Sequence, residues 1–402
     1  MVQDLLTAAA VRKAAVRMLE DGRAGRLLHW RLDEGALPEI ARLVAHITRQ
    51  NYPDLRIPFH ARWRHFSVGG VDRWETLSAT LPAAGPTERL RRAFDLVIMS
   101  VLVDAGTGGA WSYADGATQS RLSSSEGLAL ASLDLYRMGV AEAPGHALEA
   151  KWLAELDARA FEVAFQVRGG NPLSGVKGRV ALLNRLGQAC LARPEIFAAH
   201  GPARPGGLAD AIVRHAEGGG IAAGAILELV LDALGTIWPS RAMLNGVALG
   251  DSWIYAPWGE GATPHSIVPF HKLSQWLTYS LIEPLEHAGV IVSDICQLTG
   301  LAEYRNGGLF VDGGALQLKH AADAARAYGP DSTLVIEWRA LTIALLDVLH
   351  PIVAMELGMA LAEFPLARML EGGTWAAGRY IARQLRPDGR PPIAITSDGT
   401  VF

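Results

Sequence analysis

The stretch "PTERLRRAFDLVIMSVLVDAG", Pro86 to Gly106, decides the fold class. Pro86-Thr87-Glu88 is an acceptable helix start, because proline is tolerated in the first turn, where its missing N–H costs nothing. From Leu96 to Val103 the sequence turns apolar, with Ser100 as the exception. A helix of that composition is buried on all sides in its second half, so other elements must surround it. The flanking sequence offers helices for the purpose.

Residues 4–21 and 37–50 read as amphipathic helices, the first ended by Gly22 and the second by "NYP". "SSSEGLALASLDLYRMG" places serines ahead of Glu126, a helix cap with an acid in the first turn, and ends on Gly139. Residues 146–168, 175–192, 207–217, 221–237, 270–288 and 334–362 continue the pattern, the last broken at Pro351. Strand signals are short: "HSIVPF", "GVIVSD", "GGLFVDG" and the terminal "PPIAITSDGTVF". Helix and strand do not alternate at regular spacing, which argues against a Rossmann or barrel fold. No fixed-period repeat is evident. The expectation is a mainly α protein, one large helical domain over residues 1–402 with a few short strands. "GPARPGG" at 201–207 is the place for a subdivision, and residues 386–402 read as a loosely packed tail.

A chain of 402 residues with 50% hydrophobic content can bury a substantial core without disulfides or metals. Its net charge of −4 argues against a general nucleic-acid binder, which shows a basic face. Cys190 and Cys296 are far apart and form no CxxC pair, which fits a reducing compartment and gives no zinc spacing. The opening residues show no signal-peptide pattern. "IAAGAILELVLDALGTIW" carries Glu228 and Asp232, and "LTIALLDVLHPIVAMELGMAL" carries Asp347, His350 and Glu356. Both read as buried helices with one polar edge rather than membrane spans. A cytoplasmic protein with no membrane partner is expected.

The phosphate-loop, GxSxG, HExxH and CxxC patterns are absent. "GTGGAW" after Asp104 lacks the glycine spacing and helix start of a dinucleotide site. Four polar islands stand out instead. In "SVLVDAGTGGAWSY", Asp104 follows a buried helix, where the negative end of the helix dipole disfavours an acid. Such an acid tends to carry a raised pKa and a role; the plainer reading is a helix end with a glycine stop. "LGDSWIYAPWGEGATPHSIVPFHKLSQWLTYSL" holds Asp251, Trp253, Tyr255, Trp258, His265, His271, Lys272 and Trp276. Its tryptophans suit a pocket stacking on a flat ligand, or a loop packed by its own aromatics. His271-Lys272 at a helix start suits a phosphate, or is a core histidine beside a solvated lysine.

"LAEYRNGGLFVDGG", Leu301 to Gly314, sets Glu303, Tyr304, Arg305, Asn306 and Asp312 among glycines. Glu303 is a candidate general acid or base, and Arg305 can fork onto a carboxylate or phosphate. A Glu–Arg pair clamping a turn is the alternative, and Asp312 reads as a strand-end turn residue. "IPFHARWRHFSVGGVDRW", with His60, Arg62, Arg64, His65 and Arg73, is locally basic and suits an anionic group. His60 and His65 do not share a helix face, so they do not form a metal pair.

Five motifs, "SVLVDAGTGGAWSY", "SSSEGLALASLDLYRMG", "GDSWIYAPW", "PFHKLSQWLTYSLIEPLEHAG" and "LAEYRNGGLFVDGGAL", together resemble the uracil catabolism protein four family over most of the chain. The resemblance implies a place in the uracil-degrading route that passes through ribosylurea. The implied step releases urea from ribosylurea or its phosphate by cleaving an N-glycosidic bond. A weaker likeness links "LAEYRNGGLF" to the "ADYR" segment of the queuosine-phosphate N-glycosylase (queuosine salvage) family. "FDLVIMSVLVDAGTGGAW" is loosely similar to that family's early "VDALNF" helix. That likeness implies a helical fold akin to DNA glycosylases and a catalytic acid, which is Glu303 here where that family has Asp.

Cleaving ribose from urea builds positive charge at C1, needs directed water, and benefits from a proton on the leaving nitrogen. Two carboxyls in different environments can divide such work. The expectation is that Glu303 stabilises C1 and orients water. Asp104 or Asp251 contacts ribose hydroxyls or urea N–H groups. Arg305, His271 and Lys272 hold a 5′-phosphate, Trp253 and Trp276 wall the pocket, and Asn306 contributes to binding. The scheme requires no metal or redox cofactor. Its partner is a small ribosyl-ureido or nucleotide-derived molecule, not a nucleic acid. Two other readings stand beside it: an amidohydrolase or ring-opening enzyme on a pyrimidine-derived ureido substrate, and a non-catalytic partner of pathway enzymes.

Overall fold

In a computed structural model of the chain, which describes residues 2–107, 109–143, 145–238 and 242–396, the deciding helix runs Pro86–Leu102. It is buried throughout from Arg92 to Leu102. The protein is mainly α: helices carry most of the described chain, and the strands pair only two by two.

Contacts divide the chain into two units, each assembled from separated stretches. Of the described residues, the first takes 2–60, 242–275 and 294–396, and the second takes those within 61–238 and 276–293. In the first, the helix Thr333–Leu357 is central and packs on Ala8–Arg23, Leu37–Asn51 and Tyr304–Asp312. Among the described residues it alone is long and apolar enough, by composition, to cross a membrane. It is mostly buried inside its unit, however, and Glu337, Arg339 and Thr342 are buried along it. Strand Ser252–Ile254 pairs antiparallel with Ile267–Pro269, Trp253 facing Val268.

In the second unit Pro86–Leu102 packs on Ser124–Glu142 and Gly207–His215. Asp95, fully buried in the deciding helix, is held by Arg204, whose Nε donates to it at 3.0 Å, and by the Gly206 amide at 2.6 Å. The "GPARPGG" segment is therefore pinned inside this unit. The helix Lys272–His287 gives its first turn to the first unit and the remainder to the second.

Several local expectations change. "GGLFVDG" is not a strand: it lies in the helix Tyr304–Asp312, which Glu303 caps. Its glycines answer to packing rather than to a turn. A β-carbon on Gly307 would sit 2.8 Å from the Trp338 ring. Residues 146–168 form two short helices, Ala150–Ala154 and Ala158–Ala164, the second capped by the Asp157 side chain. Gly139 does not end its helix, which continues to Glu142 with Gly139 against Leu148 and Trp152. Pro351 does not break Thr333–Leu357; Leu349 and Val353 are buried on either side of it. The segment after Leu385, read as loosely packed, is tied down over its described part. Ile393 is buried, Arg386 donates to Asp312 at 2.9 Å, and Ala394–Ile395 pairs with Ala327–Tyr328.

Candidate functional site

Asp251 sits where the chain enters strand Ser252–Ile254, and its carboxylate is enclosed. Arg339 donates to it through both ends of the guanidinium, at 2.8 and 2.7 Å. The Trp253 indole N–H donates at 2.9 Å and the Lys272 amide at 3.2 Å. The Asp251 carbonyl also accepts the amides of Phe270 and His271. Burial alone would push this acid up; the Arg339 charge and these donors outweigh it and hold the pKa at about 2. Four expected site residues, Asp251, Trp253, His271 and Lys272, thus share one hydrogen-bonded corner.

His271 is buried with φ at 47°, a left-handed conformation that side-chain-bearing residues rarely adopt. Its Nε2 lies 2.8 Å from the Leu5 carbonyl, which can only accept, so Nε2 carries the hydrogen. Burial pulls its pKa down and keeps the ring neutral.

Glu303 stands in extended conformation at the start of the helix Tyr304–Asp312, and its carboxylate accepts the amides of Arg305, at 2.7 Å, and Asn306. This is a capping role. Yet burial pushes the acid above the ordinary range, against the pull of those amides and of the nearby Lys272 and Arg305 charges. Glu303, Lys272, Arg305 and Asn306 are therefore neighbours. Arg305 donates to the Gly389 carbonyl and stacks on Tyr304. Asn306 is buried and donates to the Leu301 carbonyl, leaving its Oδ1 without a protein donor.

Asp104 and Trp276 belong to the second unit, and Arg62 brings them together. Its guanidinium lies 3.0 Å from the Asp104 carboxylate and 4.9 Å from the centre of the Trp276 ring. The Ser125 hydroxyl donates to Asp104 at 3.1 Å. Arg179 donates to the carbonyls of Val103, Ala105 and Gly106, neutralising the helix end beside Asp104. The expected conflict between acid and helix dipole is thus resolved by two arginines.

The arginines Arg339 and Arg179 were not singled out by sequence, since a charged residue inside an apolar helix carries no local sign of its partner. Arg62 was visible only as part of a basic island.

The family model described as "Protein of unknown function (DUF1688)" matches residues 4–402. The chain is 38% identical over 415 residues to "Protein urg3" of Schizosaccharomyces pombe, covering 100% of this chain and 99% of that protein. It is 36% identical over 409 residues to "Uracil catabolism protein 4" of Lachancea kluyveri, covering 93% of this chain and 92% of that one. The resemblance seen in the five motifs is borne out along the whole chain.

Proposed function

The chain belongs to the DUF1688 family, and on that premise we propose that it acts in uracil catabolism as an N-glycosidase releasing urea from ribosylurea or its 5′-phosphate. The names of the two relatives support the metabolic setting. The observation that carries the chemistry is Glu303: a carboxyl pushed up by burial, oriented by two backbone amides, with Lys272 close by.

In this reading a water oxygen bonds to C1 as the C1–N bond breaks. The bonding pair leaves with the urea nitrogen, which takes a proton. Glu303, as carboxylate, faces the charge that grows at C1 and accepts a proton from the water. A raised pKa makes it a better acceptor near neutral pH than an ordinary glutamate. Asp251, whose carboxylate oxygens already accept from Arg339, Trp253 and the Lys272 amide, acts by position: it fixes the Trp253 indole and the Lys272 amide. Lys272 and Arg305 take a 5′-phosphate. His271 Nδ1 and Asn306 Oδ1, both acceptors, suit ribose hydroxyls or urea N–H groups rather than a phosphate. The Asp104–Arg62–Trp276 cluster is a separate candidate for ribose-hydroxyl binding and stacking, tested by its own variants. Incubating the purified protein with ribosylurea and with its phosphate, and assaying urea, decides the reading. No urea from either removes it.

A further inference from the structure

The His60–Glu371 pair lies outside the scheme so far. His60 Nδ1 is 2.8 Å from Glu371 Oε2, and both side chains are mostly buried. Tyr52 donates its hydroxyl to the other oxygen, Glu371 Oε1, at 3.0 Å. The His60 amide donates to the Ala367 carbonyl at 3.1 Å, fixing the backbone beneath the ring. Glu371 itself sits in a single widened helical turn, Leu370–Thr374, between Leu366–Met369 and Trp375–Leu385. Such turns are rare and concentrate at functional sites. Here the turn is locked: a β-carbon on Gly373 would run into Thr48 and would lie 2.8 Å from the Val44 carbonyl.

The same segment touches the helix that Glu303 caps. Tyr304–Asp312 packs against both Leu370–Thr374 and Trp375–Leu385, and a β-carbon on Gly378 would strike the Arg305 carbonyl. One stretch of chain therefore carries Glu371 and abuts the Glu303 helix.

A carboxylate accepting from Nδ1 fixes the imidazole tautomer: the hydrogen stays on Nδ1, and Nε2 becomes the atom that exchanges protons. We propose that His60 is the proton-transfer residue that protonates the departing urea nitrogen, with Glu371 and Tyr52 as its positioning residues. The inference rests on the N-glycosidase reading. In the step, imidazolium Nε2–H gives its proton to the nitrogen that receives the C1–N bonding pair. Glu303 takes the proton that the attacking water loses. Transfer of that proton back to His60 through solvent restores both groups, so the sum is water plus ribosylurea giving ribose plus urea.

The test uses the full chain with His60→Ala and Glu371→Gln. His60→Ala is expected to lower kcat for urea release about 100-fold or more with KM nearly unchanged, and added imidazole to restore part of the loss. Nitrogen NMR of the histidines, with His60 assigned by its absence from His60→Ala, is expected to show the Nδ1–H form in the wild type and its loss in Glu371→Gln. A kcat within about threefold of wild type in a folded His60→Ala protein overturns the assignment, as does a loss confined to KM. If the wild type releases no urea, the substrate reading has failed on its own. The pair is then judged by NMR: a neutral His60 in the Nε2–H form, indifferent to Glu371→Gln, overturns it.

Discussion

Asp251 and Arg339 meet side by side, Nη1 to Oδ1 at 2.8 Å and Nη2 to Oδ2 at 2.7 Å, with both residues buried. The pair ties strand Ser252–Ile254 to the central helix and holds the start of Lys272–His287. Its charges compensate each other, and the Trp253 indole and Lys272 amide add donors to the carboxylate. Asp251→Asn leaves the Arg339 charge buried without its counterion, and a loss of about 3–5 kcal/mol is expected on chemical denaturation.

The same pair sets an acid limit. The folded pKa of Asp251, about 2, lies below its ordinary value of 3.8, so the stabilisation is fully present above that value. It is lost as pH falls through about 2, and the difference corresponds to about 2 kcal/mol. Wild type is expected to lose stability over this window, and Asp251→Asn to lose less. Parallel acid titrations of the two, followed by circular dichroism, check it.

Gly307 and Gly308 are neighbours with opposite requirements. A β-carbon on Gly307 meets Trp338 at 2.8 Å and Thr342 at 2.9 Å; on Gly308 it meets only Pro392, at 3.2 Å. Gly307→Ala is expected to cost about 1–3 kcal/mol through overpacking. Gly308→Ala is expected to be near neutral, because the gain in helix propensity offsets a small adjustment. Thermal unfolding of both proteins separates the cases.

This contrast also shows where sequence reading stopped. The apolar run from Leu96 to Val103 was legible because burial on every face needs no knowledge of the partner. "GGLFVDG" misled because glycines beside Leu, Phe and Val signal a strand or turn locally, whereas here Gly307 is demanded by Trp338, 31 residues away. Glu303 and Arg305 were legible as a polar island. The pairing of His60 with Glu371, separated by 311 positions, was not, because nothing local links them.

Glu303 gives a pH signature of its own. Its folded pKa is raised, so the folded state disfavours the ionised form. The resulting destabilisation is absent below the ordinary glutamate range, grows as pH rises through it, and is complete above the folded pKa. The stability of Glu303→Gln relative to wild type is therefore expected to improve as pH rises from the ordinary carboxylate range upward. Denaturation midpoints of both proteins from pH 4 to pH 8 test this, and a pH-independent difference contradicts the raised pKa.

Lys272 and Arg305 flank Glu303 through their charges. If they hold a 5′-phosphate, Lys272→Ala and Arg305→Ala are expected to raise KM for the phosphorylated substrate by about tenfold or more, and to leave ribosylurea little affected. Equal efficiency of wild type on both substrates removes this role.

The central claim is that the Glu303 carboxylate serves the reaction as well as capping its helix. The direct measurement is urea release from ribosylurea and its 5′-phosphate by wild type and Glu303→Gln, each with helix content confirmed by circular dichroism. The account predicts urea from the wild type and a loss of about 100-fold or more in kcat for the folded variant. Near-normal turnover by Glu303→Gln contradicts it.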